Sequence, residues 1–494
     1  MKTRLCLLLI ALCGLSGCFP EERVWWSPQG DRAVVSIADE LHLVTADGEL
    51  GRALEVSLEK ALVKTVSWLP DGSGFVCHRE RAVATWEEVS QIIPPAESAA
   101  VEQLMPAVLP VLEAAAKLAA GADSLERVAS VMPMIEKKRF AISVKRALQR
   151  DAAAVEKLLL ALPKGTEIVE SMKKEGTAFQ VSELCVVKLA DKASAASLSR
   201  TCSLLSPPLM PKVSPKHDVV AFLTLDEKEE SAALMALPLD GGPALTVARG
   251  VSGTFDWMPD GRALVFMAPI GSDGEKLQSI HRISVVQENG TLMKPRYEEQ
   301  KDGSSKLINA PDRMPEPVTL ATAIMLNHPH MQALADGRVL FASQPAVLPA
   351  AGTGPELEPR LYVISADGKE VSPIATASGD LPTNLGYFAA SPDGKLVAVV
   401  ESETDAVAVV DLSSGKTQII SAPHPRWQCE TIPAWKSATE LTFAALHGAA
   451  QEPKWMLWSD GAGLRCISEK WPANATAKWL EQKSETKPQT STTR

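Results

Sequence analysis

Residues 256–266 read DWMPDGRALVF: a tryptophan, a Pro-Asp-Gly turn and then an apolar strand. Proline presets φ at the first turn position, and Asp-Gly supplies the polar and positive-φ positions that follow. Beyond the turn, Leu264 and Phe266 alternate with the residues between them, the period of a strand with one buried face. The stretch is a β-hairpin.

It recurs as VWWSPQGDRAVVS (24–36), VSWLPDGSGFVCH (66–78) and FAASPDGKLVAVV (388–400). Degenerate copies are PKVSPKHDVVAFL (211–223), MQALADGRVLFAS (331–343) and IPAWKSATELTFAAL (432–446). The positions equivalent to Trp257 are Trp26, Trp68, Val213, Ala333, Ala390 and Trp435, separated by 42, 145, 44, 76, 57 and 45 residues. A third apolar run follows each hairpin, as in LHLVTADG (41–48) and RLYVISADG (360–368). A fourth usually follows that, for example ALEVSL (53–58) and TQIISA (417–422). Four short antiparallel strands in about 40–45 residues make one β-propeller blade. The expected fold is therefore all-β, a seven-bladed β-propeller over residues 23–470.

The phrase resembles the TolB-type propeller repeat, a WD-like family whose blades open on W/F-S-P-D-G. The resemblance covers nearly all of 23–470 apart from insertions. Blades 1, 2, 4 and 6 match well, while blades 3, 5 and 7 lack part of the turn. The family includes partners of envelope complexes, and the resemblance implies a role of that kind.

The spacing of 145 places an excess between the second and third strands of blade 2. Residues 86–175 contain no period-two run. Instead Val101, Leu104, Met105, Val108, Val111 and Leu112 recur at helical spacing, as do Val155, Leu158, Leu159 and Leu162. This predicts a helical insertion on the face opposite the Pro-Asp-Gly turns. A further excess at about 291–329 falls before or after the fourth strand of blade 4, and the sequence leaves both placements open.

The chain opens with Lys2 and Arg4, then the short apolar run LCLLLIALCGL, too short to span a bilayer. Its end, Leu15-Ser16-Gly17-Cys18, resembles the lipobox of bacterial lipoproteins. That resemblance implies a signal peptide at 1–17, a lipid on Cys18, a tether at 18–22 and export with attachment to a bacterial membrane, facing the periplasm or the cell surface. Residues 481–494 read as a disordered tail. Cys185 and Cys202 lie symmetrically about Ala193 and Ser194, the expected tip of a hairpin, and are candidates for a disulfide. Lys137, Lys138, Arg139, Lys145, Arg146 and Arg150 within the insertion are candidates for contact with a partner or with anionic headgroups.

With 50 basic and 60 acidic residues the formal net charge is -10, which speaks against nucleic acid as a partner. No P-loop, dinucleotide fingerprint or G-x-S-x-G elbow occurs, so no cofactor and no catalytic residue are assigned. Asn327-His328-Pro329-His330 has an H-x-H spacing, but no carboxylate or third histidine stands nearby, so no metal is expected. The expected role is a noncatalytic, lipid-anchored protein-binding or scaffold module of the cell envelope, with partner proteins unidentified. The alternative is a propeller enzyme with its site at the channel mouth on the insertion-bearing face.

Overall fold

A computed structural model describes residues 24–471, except 104–178 (within which only 160 and 166 are described) and the loops 38–39, 55–61, 84, 190–195, 205–207, 227–230, 271–276, 300–304, 325–329, 344–359, 375–384, 402–405, 422–431 and 447–452. Cys18, the six basic residues at 137–150 and the tail at 481–494 thus lie outside the described residues.

Seven four-stranded antiparallel sheets follow one another along the chain, forming a seven-bladed β-propeller. Blade 1 is β1 (Val24–Trp26), β2 (Arg32–Ile37), β3 (Glu40–Thr45) and β4 (Leu50–Ala53). Blade 2 is β5 (Leu62–Trp68), β6 (Gly74–Val83), β7 (Phe179–Lys188) and β8 (Ala196–Ser203), with helix α1 (Trp86–Ile92) between β6 and β7. Blade 3 is β9 (Leu209–Val213), β10 (Val219–Asp226), β11 (Ser231–Pro238) and β12 (Leu245–Val251). Blade 4 holds β13 (Phe255–Trp257), β14 (Ala263–Pro269) and β15 (Leu277–Ser284), then a small hairpin of β16 (Tyr297–Glu299) and β17 (Ser305–Leu307), then β18 (Val318–Ile324) as its fourth strand. The second excess therefore precedes the fourth strand. Blade 5 is β19 (Met331–Ala333), β20 (Val339–Ser343), β21 (Arg360–Ile364) and β22 (Val371–Pro373); blade 6 is β23 (Leu385–Ala390), β24 (Leu396–Glu401), β25 (Val407–Asp411) and β26 (Thr417–Ser421); blade 7 is β27 (Ala434–Trp435), β28 (Glu440–Leu446), β29 (Pro453–Ser459) and β30 (Gly463–Cys466). One sequence boundary shifts: the fourth strand of blade 1 begins at Leu50, directly after the Asp47-Gly48 turn, and not at Ala53.

The core is divided among the blade interfaces. Blades 1 and 2 share Trp25, Val34, Val66, Trp68, Phe75, Cys77 and Cys185. Blades 3 and 4 share Val219, Leu234, Phe255, Trp257 and Phe266. Inner-strand residues alternate, so the tryptophan position faces the preceding blade and the residue before it faces the next.

That alternation produces a repeating bond. The indole Nε1 of Trp68 donates to Trp25 O at 2.9 Å, that of Trp257 to Lys212 O at 2.8 Å, and that of Trp435 to Ala389 O at 2.7 Å. Each acceptor sits one residue before the tryptophan position of the preceding blade. Where the tryptophan is missing, the backbone N–H at its position donates to a side chain on the preceding blade instead. Val213 N donates to Ser67 Oγ at 2.9 Å, Ala333 N to Asp256 Oδ2 at 2.9 Å, and Ala390 N to Gln332 Oε1 at 2.8 Å.

The seventh interface joins the ends of the ring. Trp26 Nε1 donates to Thr442 Oγ1 at 2.9 Å, and that hydroxyl donates onward to Ala434 O at 2.8 Å. One hydroxyl is inserted into the usual indole-to-carbonyl bond. Trp471 Nε1 also donates to Gly48 O at 2.9 Å, and Lys436 Nζ lies 5.6 Å above the Trp26 ring. Each described four-stranded sheet takes its strands from one stretch of chain, with only the β16–β17 hairpin set aside within blade 4, so among the described residues the first and last blades meet through side chains and not through an exchanged strand.

The turn glycine of blade 1 is fixed on two counts. Gly30 has φ 68°, and a Cβ there would lie 2.3 Å from Lys436 O across the closing interface. Gly30→Ala is expected to destabilise the protein by about 1–3 kcal/mol, through backbone strain plus displacement of blade 7. Chemical unfolding of the variant checks this. A loss below about 0.5 kcal/mol would show that the junction yields freely.

Candidate functional site

Two regions concentrate polar side chains: the channel wall and the root of the blade-2 insertion. On the wall, the residues preceding the tryptophan positions include Ser67, Lys212, Asp256 and Gln332. Lys212 Nζ and Asp256 Oδ1 form an ion pair at 3.1 Å, their side chains 33% and 18% exposed. Asp256 spends its other oxygen on Ala333 N–H. These polar groups are engaged in holding blade to blade.

His330 enters the same neighbourhood. Its Nε2 donates to Phe388 O at 2.8 Å, and its ring meets Phe388 edge-on with centroids 4.4 Å apart. Burial, aided by the Lys212 charge, pushes its pKa down to about 4 from the usual 6.5. The imidazole is neutral at pH 7. As pH falls below 6.5 the unfolded chain gains a proton that folded His330 refuses until about pH 4. Stability is therefore full above about pH 6.5 and drains between there and pH 4, by roughly 2–3 kcal/mol in all. His330→Gln, which keeps a donor for Phe388 O, should flatten this part of the stability–pH curve. An unchanged acid slope in the variant would count against the assignment. Its H-x-H neighbour His328 lies outside the described residues.

A cavity of ≈ 260 Å³ opens between the inner strands of blades 1, 2 and 7. Three tryptophans (Trp25, Trp26 and Trp68) line it, together with Val24, Val66, Ile432, Pro433 and Ala434. Its one side-chain hydroxyl, Ser67 Oγ, already accepts from Val213 N–H. The volume is below the range of about 300–1,000 Å³ usual for small-molecule pockets. Among the described residues no group of three or more His, Cys, Asp or Glu side chains could hold a metal ion.

At blade 2, β6 and β7 each run ten residues, against six to eight for the second strands of blades 1, 3, 4, 6 and 7. Their pairing extends from Gly74↔Lys188 to Val83↔Phe179, at the root of the insertion. A separate small core gathers there from Val83, Val89, Ile93, Val101, Phe179, Val181 and Leu204. Helix α1 starts with Thr85 as N-cap, its Oγ1 accepting from Glu88 N at 3.3 Å. Residues 95–103 are helical too, and Glu97 Oε1 there accepts from Ser203 Oγ of β8 at 3.1 Å. Within the strands Arg79 and Glu183 are direct cross-strand partners and form an ion pair, their side chains 4% and 3% exposed. Cys202 Sγ donates to Glu183 Oε1 at 3.5 Å.

The expected Cys185–Cys202 disulfide is not present. The β7–β8 register sets Cys185 opposite Ser199 and Cys202 opposite Glu183, and neither sulfur is in a disulfide. The register is offset from the start of the hairpin: Lys188 pairs with Ala196, where symmetry about Ala193 and Ser194 would set it opposite Ser199. Cys185 instead faces Cys77 across β6 and β7. Sequence reasoning also passed over Arg79 and Glu183; two opposite charges inside apolar strand text were the available signal.

No known protein-family profile matches the chain, and no curated protein matches it. Among solved structures it is similar to TolB from Acinetobacter baumannii, with 16% identity over 57% of this chain and 58% of that one, TM-score 0.34. It is similar to puromycin hydrolase, with 12% identity over 92% of this chain and 55% of that one, TM-score 0.46. It is also similar to hydrazine synthase from Kuenenia stuttgartiensis, with 10% identity over 86% and 92% of the two chains, TM-score 0.44. The chain thus spans less than two thirds of the TolB protein and of the hydrolase. On its seven four-stranded antiparallel sheets, taken up in chain order, the chain is a seven-bladed β-propeller.

Proposed function

We propose that this chain is a noncatalytic, lipid-anchored propeller that binds protein partners in the bacterial cell envelope through the blade-2 insertion. The observation that carries the proposal is the build of the insertion's root. Strands lengthened to ten residues, a private apolar core and a buried ion pair make a stiff mount, which suits a segment presented to another molecule. The channel wall supports the same reading, because its polar side chains are occupied in joining blades. In this reading Cys18 carries the lipid, and Lys137, Lys138, Arg139, Lys145, Arg146 and Arg150 meet the partner or anionic headgroups.

The test is crosslinking in intact cells followed by purification from membranes, comparing the parent with a chain whose residues 104–175 are replaced by a Gly/Ser linker. This deletion spares α1 and Val101, which cover Val83, Phe179 and Leu204. The shortened chain should unfold cooperatively and lose the crosslinked protein. Retention of that protein, or a stoichiometric cofactor in the purified parent, would overturn the proposal. Separately, Cys18→Ala should move the protein out of the membrane fraction.

A further inference from the structure

Cys77 on β6 and Cys185 on β7 are direct antiparallel partners. In such pairs the Cα atoms lie about 4.5 or about 5.5 Å apart according to pair type, both inside the disulfide range of about 4.4–6.8 Å. Opposed residues project to the same side of a sheet. Here that side faces blade 1, where both sulfur side chains are fully buried among Trp25, Val34, Val66, Trp68 and Phe75. Cys202, the other cysteine of this blade, stands opposite Glu183 and outside this core.

We propose that Cys77 and Cys185 form a disulfide across blade 2 when the chain folds in an oxidising compartment, an inference that rests on the exported location proposed above. The two thiols lose two protons and two electrons. The electrons pass by thiol–disulfide exchange to an oxidising disulfide, which leaves as a dithiol. In the folded ring burial, followed by the neighbouring Cys185, pushes the Cys77 thiol well above its ordinary pKa, so the attacking thiolate is scarce. The bond therefore forms before blade 1 packs on blade 2, and the same packing then shields it from reductants. The closed loop encloses residues 78–184, and with them the insertion and the Arg79–Glu183 pair. The bridge pins the mount to the ring.

The experiment has two arms. In one, the purified full chain is unfolded, reduced and refolded in a glutathione redox buffer, then alkylated under denaturing conditions and mapped by peptide mass spectrometry. In the other, the chain is expressed with its own leader and its thiols are trapped in intact cells. The expected result in both is a peptide containing Cys77 linked to one containing Cys185, resistant to dithiothreitol until denaturant is added. Cys77→Ser should leave Cys185 fully alkylated. Free thiols at both positions after refolding, or a Cys185–Cys202 link, would overturn the inference. A bridge in the refolded chain with free thiols in cells would uphold the pairing geometry and overturn the exported location.

Discussion

Arg79→Met should lower stability by about 3–5 kcal/mol, because it leaves the Glu183 carboxylate buried without its counter-charge. Methionine matches the length of the lost side chain, so packing in the hairpin is largely kept. The double variant Arg79→Met/Glu183→Leu should recover most of the loss, since an apolar pair of similar volume is often as stable as a buried ion pair. Denaturant unfolding of the three proteins gives the comparison. Hydrogen exchange should place the loosening in β6 and β7. A single variant within about 1 kcal/mol of the parent would mean that water reaches Glu183 and the pair does not stiffen the mount.

Trp26→Ala should cost about 3–5 kcal/mol, the range for emptying a buried tryptophan site. The loss has two parts. The ring packs in the cluster shared by blades 7 and 1, and its N–H supplies the bond to Thr442. Trp26→Phe keeps most of the packing and removes only the donor, so about 1 kcal/mol is expected. Proteolysis under native conditions distinguishes the location: cleavage should begin in blades 1 and 7 for Trp26→Ala. Uniform cleavage around the ring, or a cost no larger than that of Trp26→Phe, would contradict the role assigned to this junction.

Much of the ring could be read directly. Trp26, Trp68, Trp257 and Trp435 announce themselves because each combines a large apolar ring with an adjacent turn. Of the blades without that tryptophan, blade 6 keeps the whole Ser-Pro-Asp-Gly turn, while blades 3 and 5 keep only part of it. What replaces the tryptophan is invisible in the blade itself: the partner of Val213 N is Ser67, and that of Ala390 N is Gln332, each one blade away. A bond between residues 146 or 58 positions apart leaves no local pattern. The same limit explains the cysteines. Symmetry about a turn gives the right partner only when the turn's centre is placed correctly, and the pairing of Lys188 with Ala196 centres this hairpin ahead of Ala193 and Ser194. The fourth strand of blade 4 was ambiguous because the excess before it holds a hairpin of its own, β16 and β17, which pair with each other and not with the blade. Helical spacing identified the insertion; that its root would be a buried Arg79–Glu183 pair required knowing the register of two strands separated by the whole insertion.

The closing junction repeats the indole bond of three other interfaces, with one hydroxyl added and, among the described residues, no strand crossing over. Among the described residues there is therefore no single clasp on which the rest depends. The first and last described strands meet at one joint among seven, so the order in which the chain visits the blades is separable from how the ring is held. A circular permutant that links the present ends and opens at another blade-to-blade loop keeps every interblade bond. Gain or loss of a whole blade, by contrast, changes the angle at all of them together.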